Sequence, residues 1–148
     1  MTYCDSSFLV ALFVKGDIFA PKAVVIAAAF SAPMPLIPLA EVEVVTKVHR
    51  GLGEKTLNPA QHAAVLRQIE EDIADGILVR KGLPAREHLE EALRLSRRHA
   101  PSLAVRSLDI LHVAAARVLK SRAFASFDRR QRELAGAAGL RLLPKDLA

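Results

Sequence analysis

The chain has 148 residues, 51% of them hydrophobic, which excludes a disordered polypeptide and predicts one domain, residues 1–148, large enough to bury its own core. A single cysteine, Cys4, excludes an intramolecular disulfide framework, and the absence of Trp with only 5% aromatic residues argues against a base-stacking platform. Lys and Arg total 21 against 16 acids, a net charge of +5, so a polyanionic partner is favoured although charge alone fixes no site.

The first residues, MTYCDSSFLVALF, lack the basic region of a secretory leader. The apolar run AVVIAAAF at 23–30 is far short of the ~20 residues that span a bilayer. The expectation is a soluble cytoplasmic protein with no membrane contact.

In chain order, a short strand is predicted at Thr2–Cys4, then a helix from Ser6 to Val14. A second helix runs from Pro21, well suited to a first turn, to Phe30. PMPLIPL is broken by proline, which leaves room for a short strand near Leu36–Ile37 before a helix over Leu39–Arg50. Asn58 as N-cap and Pro59 behind it open a helix that continues to Ala74 and stops at Asp75-Gly76. Helices come next over Pro84–His99 and Ser107–Lys120, then a strand at Ala123–Phe127, a helix over Arg129–Ala138 halted by Gly139, and a last strand at Arg141–Leu143.

Short strands separated by helices predict an α/β fold: a three-layer α/β/α sandwich around a short, mostly parallel sheet of about four to five strands. In such folds ligands gather beyond the carboxyl ends of the strands. Asp5 and Asp128 lie at two such ends. Each also suits an ordinary N-cap, and Gln131, three residues after Asp128, completes a capping-box pattern.

Asp109 is harder to assign to capping alone. In RSLDILHVAAARVL, helical spacing aligns it with His112, Val113 and Ala116, a face otherwise made for packing. Charges on such faces are normally paired or bind metal. In the helix after PMPLIP, Glu41 falls among Val44, Val45 and Val48, whereas Glu43 lies beside Thr46, Lys47 and Arg50. Periodicity does not choose between these two.

Four stretches in order, YCDSSFLVALF, PLAEVEVVTKVHRG, RSLDILHVAAARVL and FASFDRRQRELAGAAGL, cover most of the chain and resemble a PIN domain of the VapC toxin type. The resemblance implies Asp5, Glu43, Asp109 and Asp128 as catalytic acids and metal ligands, with Ser126 at the usual threonine position before the last of them. Leu39, Val42 and Glu43 fall in the family register, so Glu43 is preferred to Glu41; Lys47 departs from the family's small residue.

The activity implied by the resemblance is that of a Mg²⁺- or Mn²⁺-dependent endoribonuclease, a hydrolase of RNA phosphodiester bonds acting as the toxin of a type II toxin–antitoxin pair. Hard cations suit carboxylate oxygens and relieve their mutual repulsion. The implied partners are RNA, a small VapB-like antitoxin and a second copy in a homodimer. Val24, Val25, Ala28 and Ala29, or Val65, Leu66, Ile69 and Ile73, are candidate surfaces for the antitoxin, although packing within the domain or a homodimer interface is the preferred reading for each.

Arg106, Arg129 and Arg130 lie near the acids in sequence, where they suit phosphate contacts or plain solvation, and Ser6 and Ser7 suit capping. His112 is expected to make a structural hydrogen bond. The alternatives are a non-catalytic RNA-binding or scaffold domain and a DNA-directed nuclease with the same acids. GLGEKT at 51–56 is not a P-loop, because it lacks the Gly before Lys55 and comes after a helix, and the five histidines have no zinc spacing.

Overall fold

A computed structural model describes residues 1–147. Among them the order is β1 (Thr2–Cys4), α1 (Ser6–Phe13), α2 (Ala20–Ala28), β2 (Met34–Leu36), α3 (Pro38–Gly53), α4 (Pro59–Ala74), β3 (Leu78–Arg80), α5 (Ala85–His99), α6 (Ser107–Val118), β4 (Ala123–Ala125), α7 (Arg129–Ala137) and β5 (Arg141–Leu143). The fold is the predicted α/β sandwich, with every ladder parallel. β4 lies between β1 and β5, with Tyr3 opposite Phe124 and Phe124 opposite Leu142.

β2 pairs with β3, Met34 opposite Leu78, and lies against β1 without ladder hydrogen bonds to it. The break has a local cause. Met34 N–H donates to Ile77 O and Leu36 O accepts from Lys81 N–H, so the peptide groups of residues 34 and 36 face β3. Residue 35 therefore faces the other way, and as proline it has no N–H to offer β1.

Two expectations need correcting. The sequence pattern leaves β3 as loop, yet Leu78 is buried and the segment forms a ladder. The second strand, expected near Leu36–Ile37, runs over Met34–Leu36 with proline inside it, and Ile37 instead precedes α3 as its cap residue. The other predicted elements form, their ends shifted by a few residues at most. Asn58 and Gln61 make the full reciprocal capping box of α4, and Gly76 and Gly139, at φ +72° and +89°, occupy the left-handed position just beyond α4 and α7.

The core surrounds β1, β4 and α6. Val113, Ala114, Ala115 and Ala116 are all fully buried, as expected of a helix apolar on every side. Tyr3 stacks on Phe124 at 5.3 Å between ring centres, and Phe127 stacks on both Phe8 and Phe19. Each such ring contributes roughly 1.5–3 kcal/mol by leaving water. These rings fix the ends of β1 and β4 where Asp5 and Asp128 emerge. Val65 and Ile69 of α4 are core residues, whereas Val24 and Val25 of α2 are 52% and 72% exposed. Among the described residues no helix is long and apolar enough to cross a membrane.

Candidate active site

Asp5 leaves β1 directly into α1 and is fully buried. Its Oδ1 accepts from Phe8 N–H at 2.9 Å, the capping bond, and from the Ser7 hydroxyl at 2.6 Å. Its Oδ2 accepts from the Ser126 hydroxyl at 2.5 Å. Burial pushes the Asp5 carboxyl above its ordinary value, while the hydroxyls of Ser126 and Ser7, the Phe8 N–H and the nearby His112 pull it back in part. The carboxylate thus sits in a low-dielectric position, with no Lys or Arg ion pair among the described residues.

The same two serines tie β4's exit to β1's. Ser7 Oγ accepts from Phe127 N–H at 2.9 Å, and Ser126 Oγ accepts from Asp128 N–H at 3.0 Å. Asp5 and Asp128 are therefore held to one hydroxyl. Asp128 caps α7 by accepting from Gln131 N–H at 3.0 Å. The expected reciprocal half of that capping box is missing, because Asp128 N–H is taken by Ser126, and Gln131 Oε1 is buried without a partner.

Ser126→Ala removes the donor to Asp5 and the acceptor of Asp128 N–H. It is expected to destabilise the protein by about 1–2 kcal/mol in urea denaturation at neutral pH, with Ser126→Thr close to wild type. Equal stability of the alanine and threonine variants would contradict this role.

Glu43 reaches the site from α3. Its Oε1 meets His112 Nε2, and His112 Nδ1 lies 2.7 Å from the Tyr3 hydroxyl. Tyr3 immediately precedes Cys4 and Asp5, and its pKa rises well above the ordinary value through burial and the negative charges of Asp5 and Glu43. Asp109 lies in the first turn of α6, 7% exposed, with Oδ2 accepting from Arg106 N–H at 2.9 Å. It sits one turn before His112 on the same helix and hydrogen-bonds to none of the other three acids.

Three of the four predicted acids are thus linked, Asp5 and Asp128 through Ser126 and Glu43 through His112 to β1, while Asp109 joins them only by its place on α6. Among the described residues no three Asp, Glu, His or Cys side chains are gathered into a ready metal cage.

Glu41 is elsewhere. Its carboxylate takes a two-pronged bond from Arg80 of β3, the shortest contact being 2.7 Å, and Arg80 also reaches Glu70. The other ion-paired glutamates are served in the same way: Glu54 has Arg50, Glu71 has Arg67, Glu90 has Arg86, and Glu91 has Arg94 and Arg117. Among the described residues Asp5, Asp109 and Asp128 have no such cation, and Glu43 has only His112. Lys47, one turn past Glu43, is exposed and forms no ion pair with it. Sequence reasoning missed the bridging roles of Ser7 and Ser126 and the second partner of His112, since none has a spacing signature.

The PIN domain family model matches residues 2–137. The chain belongs to the PIN-domain family. No curated protein sequence matches this PIN domain. Among solved structures it is similar to Mycobacterium tuberculosis VapC20, described as a Sarcin-Ricin loop cleaving toxin, with a TM-score of 0.69 and 18% identity over 95% of this chain and 96% of that one. The shared architecture is that of a PIN fold.

Proposed function

We propose that this PIN domain, a single domain over residues 1–148, is a Mg²⁺- or Mn²⁺-dependent endoribonuclease acting in the cytoplasm as the toxin of a toxin–antitoxin pair. The observation that carries the reading is the distribution of cations. Arg50, Arg67, Arg80, Arg86, Arg94 and Arg117 pair with glutamates other than Glu43, and the four acids predicted from the sequence have no Lys or Arg partner among the described residues.

The donor set fits a hard divalent ion. Asp109 Oδ1, Glu43 Oε2 and Asp128 Oδ2 have no hydrogen-bond partner among the described residues, and Asp5 Oδ2 accepts a single bond. Mg²⁺ is commonly held by one or two carboxylates and keeps several waters, so it does not require a cage of three protein ligands. Asp5 and Asp109 would hold the ion most directly; Glu43 and Asp128 would complete the pocket directly or through water.

When bound, such an ion lowers the pKa of a water and polarises a phosphoryl oxygen. The chain's own part is to orient. Ser7 and Ser126 fix the Asp5 carboxylate, and Asp128 shares the Ser126 hydroxyl, so these two acids keep a set spacing. Arg106, Arg129 and Arg130 are exposed beside Asp109 and Asp128 and make no ion pair among the described residues, which leaves them available to phosphates. The exposed valines Val24 and Val25 are the surface offered to a VapB-like antitoxin or a second copy of the chain.

Labelled RNA and DNA incubated with Mn²⁺ and then with chelator test the activity. RNA cleavage that stops on chelation is expected. Preference for DNA would favour the DNA-directed alternative, and binding without cleavage the scaffold alternative. Two variants separate the neighbouring glutamates. Glu43→Gln is expected to lose at least ~10²-fold in kcat, as removal of a group that stabilises the transition state does. Glu41→Gln should leave cleavage unchanged and alter stability by at most ~1 kcal/mol, since its ion pair is solvent-exposed. The reverse pattern would move the second acid to Glu41.

A further inference from the structure

We propose that Tyr3 and His112 are positioning residues that aim the Glu43 carboxylate through one fixed proton arrangement, in which Tyr3 O–H donates to His112 Nδ1 and His112 Nε2–H donates to Glu43. The proposal rests on the nuclease reading for its consequence in catalysis, but not for the hydrogen-bond chain itself.

The reason is the need to satisfy every buried group. The His112 ring is fully buried, Nδ1 lies 2.7 Å from the Tyr3 hydroxyl, and Nε2 meets Glu43 Oε1. An ionised carboxylate can only accept, so Nε2 must carry a proton. A neutral ring then has a bare Nδ1 and requires a donor, which the buried Tyr3 hydroxyl provides. The other assignment puts a proton on Nδ1 as well. Tyr3 O–H, whose only hydrogen-bond partner among the described residues is His112, would then have no acceptor in a site without exposure. One arrangement leaves no buried group unpaired.

Packing enforces it. The Tyr3 ring stacks on Phe124 and presents its hydroxyl edge to the imidazole, with ring centres 6.0 Å apart. His112 is fully buried on α6, so the close-packed interior leaves its ring little room to turn. Glu43 is only part-buried, its side chain 25% exposed, and Lys47 lies one turn along α3. Without the imidazole donor, the carboxylate is free to swing towards Lys47 or water. With it, the carboxylate is held facing β1, where Asp5 emerges.

The test pairs a spectrum with kinetics. Long-range ¹H–¹⁵N correlation of the histidine rings at neutral pH, with His112 assigned by loss of its signals in His112→Gln, is expected to show a protonated Nε2 and a bare Nδ1. A proton on Nδ1 overturns the arrangement. In cleavage assays His112→Leu, which keeps the volume, is expected to lower kcat by about 10–100-fold with KM for RNA little changed. His112→Gln, which keeps a donor, should recover much of that loss.

A leucine variant as active as wild type, or a glutamine variant that is folded by circular dichroism yet no better than leucine, overturns the positioning role. Failure of the nuclease reading looks different: wild-type protein cleaves nothing although the ring shows the expected protonation.

Discussion

Asp5→Asn is expected to abolish RNA cleavage and, in metal-free buffer at neutral pH, to make the protein more stable. Asn caps a helix as well as Asp does, so the substitution isolates the charge. Its side-chain oxygen can accept from Phe8 N–H and Ser7. Its amide can donate to Ser126 Oγ, whose own hydroxyl turns towards Ser7 Oγ, 3.4 Å away.

The group lost is a carboxyl in a fully buried position, whose pKa burial has raised. A raised carboxyl favours folding in its protonated form. Its contribution is complete below the ordinary carboxylate range and is lost as pH rises through the raised value. Wild-type stability should therefore fall as pH rises from the acid range towards neutrality more steeply than that of Asp5→Asn. At neutral pH the variant should therefore have the higher thermal midpoint of the two. Mn²⁺ should raise the midpoint of wild type and do less for the variant. A variant less stable than wild type at every pH would reduce Asp5 to a structural cap.

Arg132→Met is expected to cost about 3 kcal/mol in urea denaturation, a larger loss than Ser126→Ala or Glu41→Gln should produce. Arg132 is only 6% exposed and spends its guanidinium on three backbone carbonyls: Ser126 O at 2.9 Å, Pro144 O at 2.8 Å and Lys145 O at 3.2 Å. Methionine keeps the apolar stem but leaves those carbonyls without their donor. Burial lowers the guanidinium pKa, and the negative charges of Asp146 and Asp5 offset that in part.

The same bonds clamp the segment after β5 to the segment after β4, directly behind the hydroxyl that holds Asp5. Loss of activity should therefore accompany loss of stability, and Arg132→Lys, with a single compact cation, should recover only part of either. An Arg132→Met variant within ~0.5 kcal/mol of wild type would show that these carbonyls find water instead.

Asp5 and Asp128 are legible in the sequence because each stands where an apolar strand pattern gives way to a helical one, and the parallel ladder between β1 and β4 brings those exits together. Glu43 is legible only through family resemblance, and the reason is specific. The residue that claims Glu41 is Arg80, on the three-residue strand β3, which has too few positions to show an alternation. Without β3 in view, Glu41 and Glu43 are two acids on one helix.

β2 is half-legible because proline counts against a strand, yet Pro35 turns its missing N–H away from β3, where no ladder bond is lost. The Tyr3–His112–Glu43 chain joins residues far apart in sequence and on three elements. Nothing local in the sequence encodes that contact.

Asp5, Glu43, Asp109 and Asp128 are proposed to serve one divalent-cation site. Anomalous diffraction from a crystal equilibrated with Mn²⁺ would locate such an ion. A strong peak, or a close pair of peaks, is expected between the exits of β1 and β4, within bonding distance of Asp5 and Asp109 oxygens and within a water's reach of Glu43 and Asp128. Saturating Mn²⁺ with no peak there, or a peak bound only at another surface, would contradict it.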